Sequence, residues 1–359
     1  MTAEVRERDV RVLVADDSLF MRHLVRRALE SDPRVQVIGE ARDGLEAVEK
    51  NAELQPSVIV MDVQMPRMDG LSALRKIMTE RPIPVVMFSS LTTENAQVTL
   101  EALSLGAVDF MPKPENRIDL SPVSEELCRK VVAAHSANLR PRWRRVRPAG
   151  KDLSRRRETA EADSLVVIGS STGGPQALDE IIPKLPPGFP GSVLVCQHMP
   201  AGFTASMARR LDSLSAVSVK EAEEGDKFYR GTVLVAPGGV HSEVVTDGGG
   251  QARPLVHLSA GEPVHGVRPS VDVSLVGAAQ AFGPKLLVVI LTGMGLDGAR
   301  GAKAAKALGA TVLCQDESTS VVWGMPRACV EIGACDEVLP LHRIARAVQE
   351  FVDGVEGTR

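Results

Sequence analysis

The 359-residue sequence lacks any long hydrophobic run. Its strongest apolar stretch, Leu286 to Leu291, has the length of a buried strand, whereas a membrane-spanning helix needs about 18–20 apolar residues. The first ten residues alternate charges and lack the apolar core of a secretory signal. The five cysteines are odd in number and form no CxxC pair, which argues against a disulfide framework or a zinc cluster. These absences favour a reducing cytoplasm as the location.

The composition is that of an ordinary globular protein. It is 44% hydrophobic and 25% charged, which supplies apolar material for two cores and excludes disordered, collagen-like and coiled-coil chains. At about 150 residues per domain, the length favours two domains.

Charge is unevenly distributed along the chain. Nine basic residues and one acid lie between Arg140 and Arg157, giving this stretch a charge of +8 within a chain of net charge −4. With two prolines and a glycine, the stretch predicts a solvated linker over residues 131–160. The linker would join a first domain over 9–130 to a second over 161–353. A nucleic-acid contact is the alternative interpretation, because clustered arginines bind phosphate.

The first domain alternates short apolar strands with amphipathic helices. Strands are predicted at 10–15, 35–39, 57–61, 85–89 and 108–111, and helices at 19–30, 44–54, 71–81 and 94–105. This alternation predicts an α/β fold with a five-stranded parallel sheet. Ligands of such sheets bind beyond the carboxyl ends of the strands.

Polar residues follow four of these strands. Asp16 and Asp17 follow the first, Asp62 the third, Ser89 the fourth and Lys113 the fifth, with Pro114 next. Solvated loop carboxylates are the simpler explanation for the acids. Three acids at one sheet edge would, however, raise one another's pKa unless a cation neutralised them, and Mg²⁺ prefers such oxygen ligands.

This pattern resembles the receiver domain of response regulators, which are flavodoxin-like in fold, over about residues 9–130. The resemblance implies that Asp62 accepts a phosphoryl group from a histidine kinase. It also implies that Ser89 and Lys113 contact the phosphoryl oxygens. Phe110 falls where such domains place a switching aromatic, although core packing explains it equally well.

The resemblance further implies a Mg²⁺ site. Asp17, Asp62 and the Gln64 carbonyl would hold the ion, with Asp16 acting through water. Phosphoryl transfer depends mainly on positioning and charge neutralisation, which Mg²⁺ and Lys113 would supply.

The second half begins with a buried strand that enters the glycine-rich turn GSSTGGP. Ser171 or Thr172 could cap the following helix, with Pro175 in its first turn. The turn could also bind phosphate at the helix N-terminus, although it matches neither common phosphate-loop spacing. A third interpretation makes Ser171 a nucleophile on a strand-to-helix turn, where helix amides favour a developing oxyanion.

A nucleophile needs a base and an orienting acid. His198 directly follows the predicted strand 192–197, and Asp297 follows the apolar strand 285–291. Each has a structural alternative: a hydrogen-bonded histidine, or an N-cap for a helix over 298–308. Ends of neighbouring parallel strands converge, so the three side chains could meet as a Ser-His-Asp triad.

The motifs GSSTGGP, CQHMP, APGGVH, VRPSVD and LTGMGLDG resemble the catalytic domain of the chemotaxis protein-glutamate methylesterases (the CheB family), a doubly wound parallel α/β domain. The resemblance implies that Ser171 is the nucleophile, His198 the general base and Asp297 its orienting carboxylate. It makes the backbone amides of Thr172 and Met294 candidates for the oxyanion hole.

Two departures from the family pattern are expected to affect substrate contacts rather than the triad. Leu296 stands where asparagine is common, and the stretch Gly266–Asp272 lacks the usual Asn-Tyr before Arg268.

The resemblance implies a phosphorylation-regulated esterase that demethylates glutamyl methyl esters and deamidates glutamines on methyl-accepting chemotaxis receptors. It implies Mg²⁺ in the receiver, no cofactor in the hydrolase site, no membrane insertion and no nucleic-acid partner. We expect the unphosphorylated receiver to obstruct the Ser171 edge. Two alternatives are a transcriptional regulator, which needs a helix-turn-helix output, and a non-catalytic interaction domain.

Overall fold

The computed structural model describes residues 10–90, 93–113, 121–139, 160–246 and 253–357. The chain divides into two compact units between Leu139 and Arg140. The basic stretch Arg140–Arg157 and Pro114 lie outside the described residues, so the linker and its nucleic-acid alternative remain predictions. In the part of the chain that is described, no helix combines the length and the apolar character needed to cross a bilayer.

The first unit is a five-stranded parallel sheet in the order β2-β1-β3-β4-β5, which confirms the predicted fold. Its strands are β1 Val10–Ala15, β2 Val35–Ala41, β3 Val58–Asp62, β4 Val85–Ser89 and β5 Asp109–Pro112. Its helices are α1 Leu19–Leu29, α2 Gly44–Leu54, α3 Gly70–Glu80, α4 Thr93–Ser104 and α5 Ser121–His135. The central strands β3 and β4 are buried along their whole length, as expected of a sheet covered on both faces, whereas the edge strand β2 is only partly buried.

The second unit contains a seven-stranded parallel sheet and a separate antiparallel hairpin. The strands are β6 Leu165–Ser170, β7 Ser192–Gln197, β8 Ser218–Glu221, β9 Thr232–Val235, β10 His241–Thr246, β11 Pro254–Ser259, β12 Leu286–Ile290, β13 Thr311–Gln315 and β14 Glu337–Leu339. The helices are α6 Gly174–Ile181, α7 Phe203–Leu214, α8 Val271–Phe282, α9 Ala299–Ala307, α10 Met325–Glu331 and α11 Leu341–Glu356.

The strand order β14-β13-β12-β6-β7-β9-β8 places β6 where the sheet changes direction. From β6 the chain builds one side through β7, and it later returns to build the other side from β12. A crevice opens at such a switch point, beyond the carboxyl ends of the central strands. The segments that follow β6, β7 and β12 therefore border one crevice, and they carry Ser171, His198 and Asp297.

The hairpin β10–β11 packs on α8 through a glycine. A Cβ atom at Gly277, in the middle of α8, would overlap the carbonyl oxygen of Val244 in β10. This close approach brings the start of β10 near the start of α8, and both ends border the site described below.

We predict opposite effects of alanine at two helical glycines. Gly277→Ala should lower the free energy of unfolding by about 1–3 kcal/mol, because the new methyl group must displace β10. Gly354→Ala should raise it by roughly 0.5–1 kcal/mol, because a Cβ there meets nothing within 4 Å and alanine favours the helix. Denaturant unfolding of both variants checks this. Equal effects of the two changes would contradict the packing argument.

Candidate active site and phosphoryl-acceptor site

Ser171 occupies the tight turn between β6 and α6. Its amide donates to the Thr292 carbonyl at 3.1 Å, and its carbonyl accepts the Gly174 amide at 2.8 Å. The N-cap of α6 is Gly173, with φ of +79° and no side-chain capping bond. The alternative interpretation, in which Ser171 or Thr172 caps this helix, is therefore wrong. The left-handed glycine forms the turn instead, while Pro175 does lie in the first turn of the helix.

His198 lies beside Ser171 on the neighbouring strand end. Ser170 and Gln197 are register partners, so the next residue of each strand leaves the sheet at the same level. The His198 amide donates to the Ser170 carbonyl at 3.0 Å, which continues the ladder to the rim. His198 is partly buried there.

Gln197 is a positioning residue that sequence reasoning missed. Its side-chain NH₂ donates to the carbonyls of Ser171 and His198, both at 3.0 Å, and its Oε1 accepts the Ser170 hydroxyl at 2.7 Å. One buried amide thus connects the two turns that carry the hydroxyl and the imidazole. It stands just before His198 in CQHMP, and that adjacency is the signal that could have identified it.

Asp297 reaches His198 from the segment after β12. Its Oδ2 accepts His198 Nε2–H at 2.7 Å, and both side chains are at most 9% exposed. An ionised carboxylate accepts and does not donate, so Nε2 carries the proton. The neutral imidazole then keeps its lone pair on Nδ1, which makes Nδ1 the basic nitrogen of this site.

Three further donors surround the Asp297 carboxylate. Ser270 Oγ–H donates at 2.7 Å, and the amides of Val271 and Asp272 donate at 2.7 and 3.1 Å. Burial alone would raise the pKa of Asp297, but the bonds from His198, Ser270 and Val271 outweigh it and hold the pKa below its ordinary value.

The same contacts show that Asp297 is a helix cap, although not of the helix that follows it in sequence. It caps α8, whereas the N-cap of α9 is Gly298, which has no side chain to offer. Asp272 in the first turn of α8 in turn accepts the Gly301 amide in the first turn of α9. The two helices therefore exchange capping carboxylates. His265 contacts Asp272 at 3.0 Å.

The candidate oxyanion donors lie on segments that are tied together. The Thr172 carbonyl accepts Thr292 Oγ1–H at 2.9 Å, which links the Ser171 turn to the loop that carries Met294. A Cβ at Gly293 would lie 2.8 Å from the Ser171 Cβ, so glycine is required where these two turns meet. The oxyanion role of Thr172 and Met294 stays a prediction.

The two departures noted in the sequence have different surroundings. Leu296 is 47% exposed although it adjoins Asp297, so it points away from the buried carboxylate. The stretch Gly266–Asp272 supplies the donors Ser270 and Asp272 to that carboxylate.

In the first unit the acidic residues converge as expected. Oxygen atoms of Asp16, Asp17 and Asp62 lie within 4.8 Å of one another. Lys113 Nζ contacts Asp16 and Asp62 at 2.7 and 2.8 Å. The donor set is entirely carboxylate oxygen, which fits a hard cation such as Mg²⁺.

The pKa of Asp62 is shifted in the opposite direction to that of Asp297. Burial raises the pKa of Asp62, and the nearby Asp16 charge adds to the rise, while Lys113 and the Gln64 amide only partly oppose it. An additional cation would lower it again by neutralising the paired acids.

The other two predicted receiver residues, Ser89 and Phe110, are both buried in this unit. Ser89 is buried at the end of β4, and its carbonyl accepts the Lys113 amide at 2.7 Å, which joins the ends of β4 and β5. Phe110 is buried, with Lys130 Nζ 5.6 Å from its ring centre, so it packs in the core of this unit.

Comparison with known proteins finds two family models in this chain. Residues 166–348 match the CheB methylesterase model, and residues 12–123 match the response regulator receiver domain. A protein-glutamate methylesterase/protein-glutamine glutaminase of Symbiobacterium thermophilum is 49% identical, over 96% of this chain and 98% of the relative. One of the same name from Thermotoga maritima is 46% identical, over 96% and 99%.

A solved structure agrees with the second unit. The CheB methylesterase catalytic domain of Thermotoga maritima shares 46% identity at a TM-score of 0.50, covering 52% of this chain and 97% of that one. The family model and the solved structure therefore both match the second unit of this chain.

We predict that Asp297→Asn loosens the α8 and α9 N-termini. An amide cannot accept all four hydrogen bonds, and a buried donor without a partner costs about 1–3 kcal/mol. Because the pKa of Asp297 is lowered, its contribution to stability is present above its ordinary value of 3.8 and disappears as the pH falls through the lowered value.

Hydrogen exchange of α8 and α9 peptides, corrected for intrinsic rates at each pH, measures this. Faster exchange than wild type at pH 6, with the difference shrinking in strong acid, is expected. Asp353→Asn, an exposed carboxylate on α11, is the control. A difference that stays constant with pH would show that the carboxylate charge is not responsible.

Proposed function

Because the chain belongs to the CheB methylesterase family and carries a response regulator receiver domain, we propose that it is a phosphorylation-regulated serine hydrolase acting in chemotactic adaptation. Its substrates are glutamyl methyl esters, and glutamines, on methyl-accepting chemotaxis receptors. The observation that carries this proposal is the 2.7 Å contact between His198 and the buried Asp297, next to the Ser171 turn.

The chemistry follows from the groups at the rim. His198 Nδ1 takes the Ser171 proton, and Oγ attacks the ester carbonyl while the amides of Thr172 and Met294 receive the developing oxyanion. The protonated imidazole then gives its proton to the leaving methoxide, and methanol departs. Water hydrolyses the glutamyl-enzyme with His198 again as base, which regenerates Ser171. With a glutamine substrate the leaving group is ammonia.

Asp297 serves this cycle in two ways. It fixes the tautomer with the proton on Nε2, so that Nδ1 is basic. Its charge also stabilises the imidazolium that forms during each attack. Since the carboxylate is held by three donors besides His198, it stays in place while the imidazole gains and loses a proton.

In the first unit we propose that Asp62 receives a phosphoryl group from a chemotaxis histidine kinase. Asp16, Asp17, Asp62 and the Gln64 carbonyl are the residues that would hold Mg²⁺. When bound, the ion supplies charge neutralisation for the transferring phosphoryl group. Lys113, which already contacts Asp62, and Ser89 would bind the phosphoryl oxygens.

The transcriptional alternative is not supported. The second unit is built on a seven-stranded parallel sheet that matches a methylesterase model over residues 166–348, where a helix-turn-helix output was required. The non-catalytic alternative remains open to a direct test at Ser171.

We predict that Ser171→Ala abolishes methanol release from methylated receptors, with a loss in kcat of about 10⁴-fold or more, because the attacking oxygen is removed. Methanol release from radiolabelled receptor membranes measures it. Ser213→Ala, on the exposed face of α7, is the matched control and should retain wild-type activity. Undiminished release from the Ser171 variant would exclude the assignment and favour the non-catalytic alternative.

We also predict that phosphorylation raises esterase activity through Asp62. Addition of a phosphodonor kinase with Mg²⁺ should activate the wild type, because phosphorylation adds about −1.5 to −2 charges beside Lys113. Asp62→Asn should show the unphosphorylated rate under all conditions.

Deletion of residues 1–139, the first compact unit, is the companion variant. We expect its esterase rate to exceed that of the unphosphorylated full-length protein and to be unchanged by the phosphodonor. A folded fragment with an equal or lower rate would contradict inhibition by the receiver.

A further inference from the structure

Behind Asp297 lies a buried residue whose hydroxyl has an unusual partner. Ser270 precedes α8 as its N-cap, yet its side chain makes no capping bond to that helix. Its Oγ–H instead donates to Asp297 Oδ1 at 2.7 Å, and Asp297 caps the helix in its place. Ser270 is fully buried, so its hydroxyl has no access to bulk water that could replace this acceptor.

The backbone of Ser270 is held in turn by a second histidine. His241, at the start of β10, is 2% exposed. Its Nδ1 accepts the Ser270 amide at 3.2 Å, and its Nε2 lies 3.0 Å from the Glu262 carbonyl. An amide only donates and a carbonyl only accepts, so Nδ1 is bare and Nε2 carries the proton. His241 is therefore a neutral imidazole in one defined tautomer.

These contacts form one continuous series. It runs from the Glu262 carbonyl through His241 to the Ser270 amide, and from the Ser270 hydroxyl through Asp297 to His198. Ser270 is the point at which the two halves meet, because one residue uses its amide on one side and its hydroxyl on the other.

We propose that Ser270 and His241 are positioning residues for the hydrolase reaction: His241 fixes Ser270, and Ser270 fixes the carboxylate that orients His198. Neither residue touches the substrate. This inference rests on the function proposed above. It goes beyond that function because it locates, outside the triad, the groups that determine the geometry of Asp297.

Asp297 needs this support because its carboxylate must keep one orientation to bond His198. Asp297 Oδ2 accepts hydrogen bonds from His198 and the Val271 amide. Bonds to this one oxygen restrain the carboxylate less against rotation about its Cβ–Cγ bond than bonds to both oxygens do. Ser270 Oγ and the Asp272 amide hold Oδ1 at 2.7 and 3.1 Å. Rotation would move Oδ2 away from Nε2 and release the imidazole from its tautomer.

The first test compares two fully buried serines of the second unit. Ser270→Ala should lower kcat by about 10- to 100-fold with KM changed by less than about twofold, the effect of misplacing a catalytic group without altering substrate contacts. Ser192→Ala is the matched control: Ser192 is also fully buried, and its Oγ donates to the Thr232 carbonyl at 3.1 Å, away from Ser270 and Asp297. It should lose comparable stability and keep kcat within about twofold.

The second test uses the two nitrogens of His241. In His241→Asn the side-chain oxygen can replace Nδ1 as acceptor for the Ser270 amide, whereas His241→Gln can replace only the Nε2 donor to Glu262. We expect the Asn variant to keep kcat within about threefold and the Gln variant to lose about tenfold or more. A purely structural role would not separate them by kcat.

Failure of the inference and failure of the proposed function are distinguishable in one assay. Ser171→Ala, run alongside, must be inactive for methanol release to report on the hydrolase. If it is inactive while Ser270→Ala retains wild-type kcat, the positioning role of Ser270 is overturned. If the Asn and Gln variants of His241 lose kcat equally, the role of Nδ1 is overturned. If Ser171→Ala stays active, the proposed function itself is wrong.

Discussion

The second unit depends on a buried negative charge that must be fully hydrogen-bonded. A carboxylate removed from water is costly unless donors surround it, and Asp297 has four. These donors come from two segments: the end of β7, which carries His198, and the N-terminus of α8, which carries Ser270 and the next two amides. One charge therefore fixes the relative positions of the β7 and β12 ends and of α8. The hydrogen bonds that offset the cost of burying the Asp297 charge include the one that orients His198.

The two units treat their acids in opposite ways, and the reason is the number of donors. Asp297 is surrounded by donors, and its pKa is lowered. Asp62 shares its site with other carboxylates and has one ammonium and one amide nearby, so burial prevails and its pKa is raised. In the proposed function, a charge held by fixed donors suits a residue that orients His198 through every catalytic cycle. A cluster of three carboxylates with a single ammonium keeps excess negative charge, which suits a site proposed to take up a cation and a phosphoryl group.

Sheet topology explains how much of this was predictable. A residue that follows a parallel strand must lie at the carboxyl edge, so Ser171, His198 and Asp297 could be placed together from the strand pattern and the motifs alone. Sequence could not identify Gln197 as a link, because its contacts depend on the register of β6 with β7. The alternative interpretation of Ser171 or Thr172 as an N-cap was wrong because a left-handed Gly173 forms that turn. The alternative interpretation of Asp297 as the cap of α9 was wrong because this carboxylate caps α8, which starts 26 residues earlier.

The orientation of the imidazole follows from the direction in which its acid approaches. Asp297 comes from β12, on the far side of β6 from β7, and meets His198 at Nε2 rather than Nδ1. In the proposed reaction the nitrogen left to take the Ser171 proton is then Nδ1, which lies closer to the backbone of His198 than Nε2 does. Proton transfer between that nitrogen and the Ser171 hydroxyl requires adjacent backbones, and the His198 amide does bond to the Ser170 carbonyl. The pairing of β6 with β7 is therefore a geometric condition for this use of the histidine, and the Gln197 amide that joins both turns reinforces it.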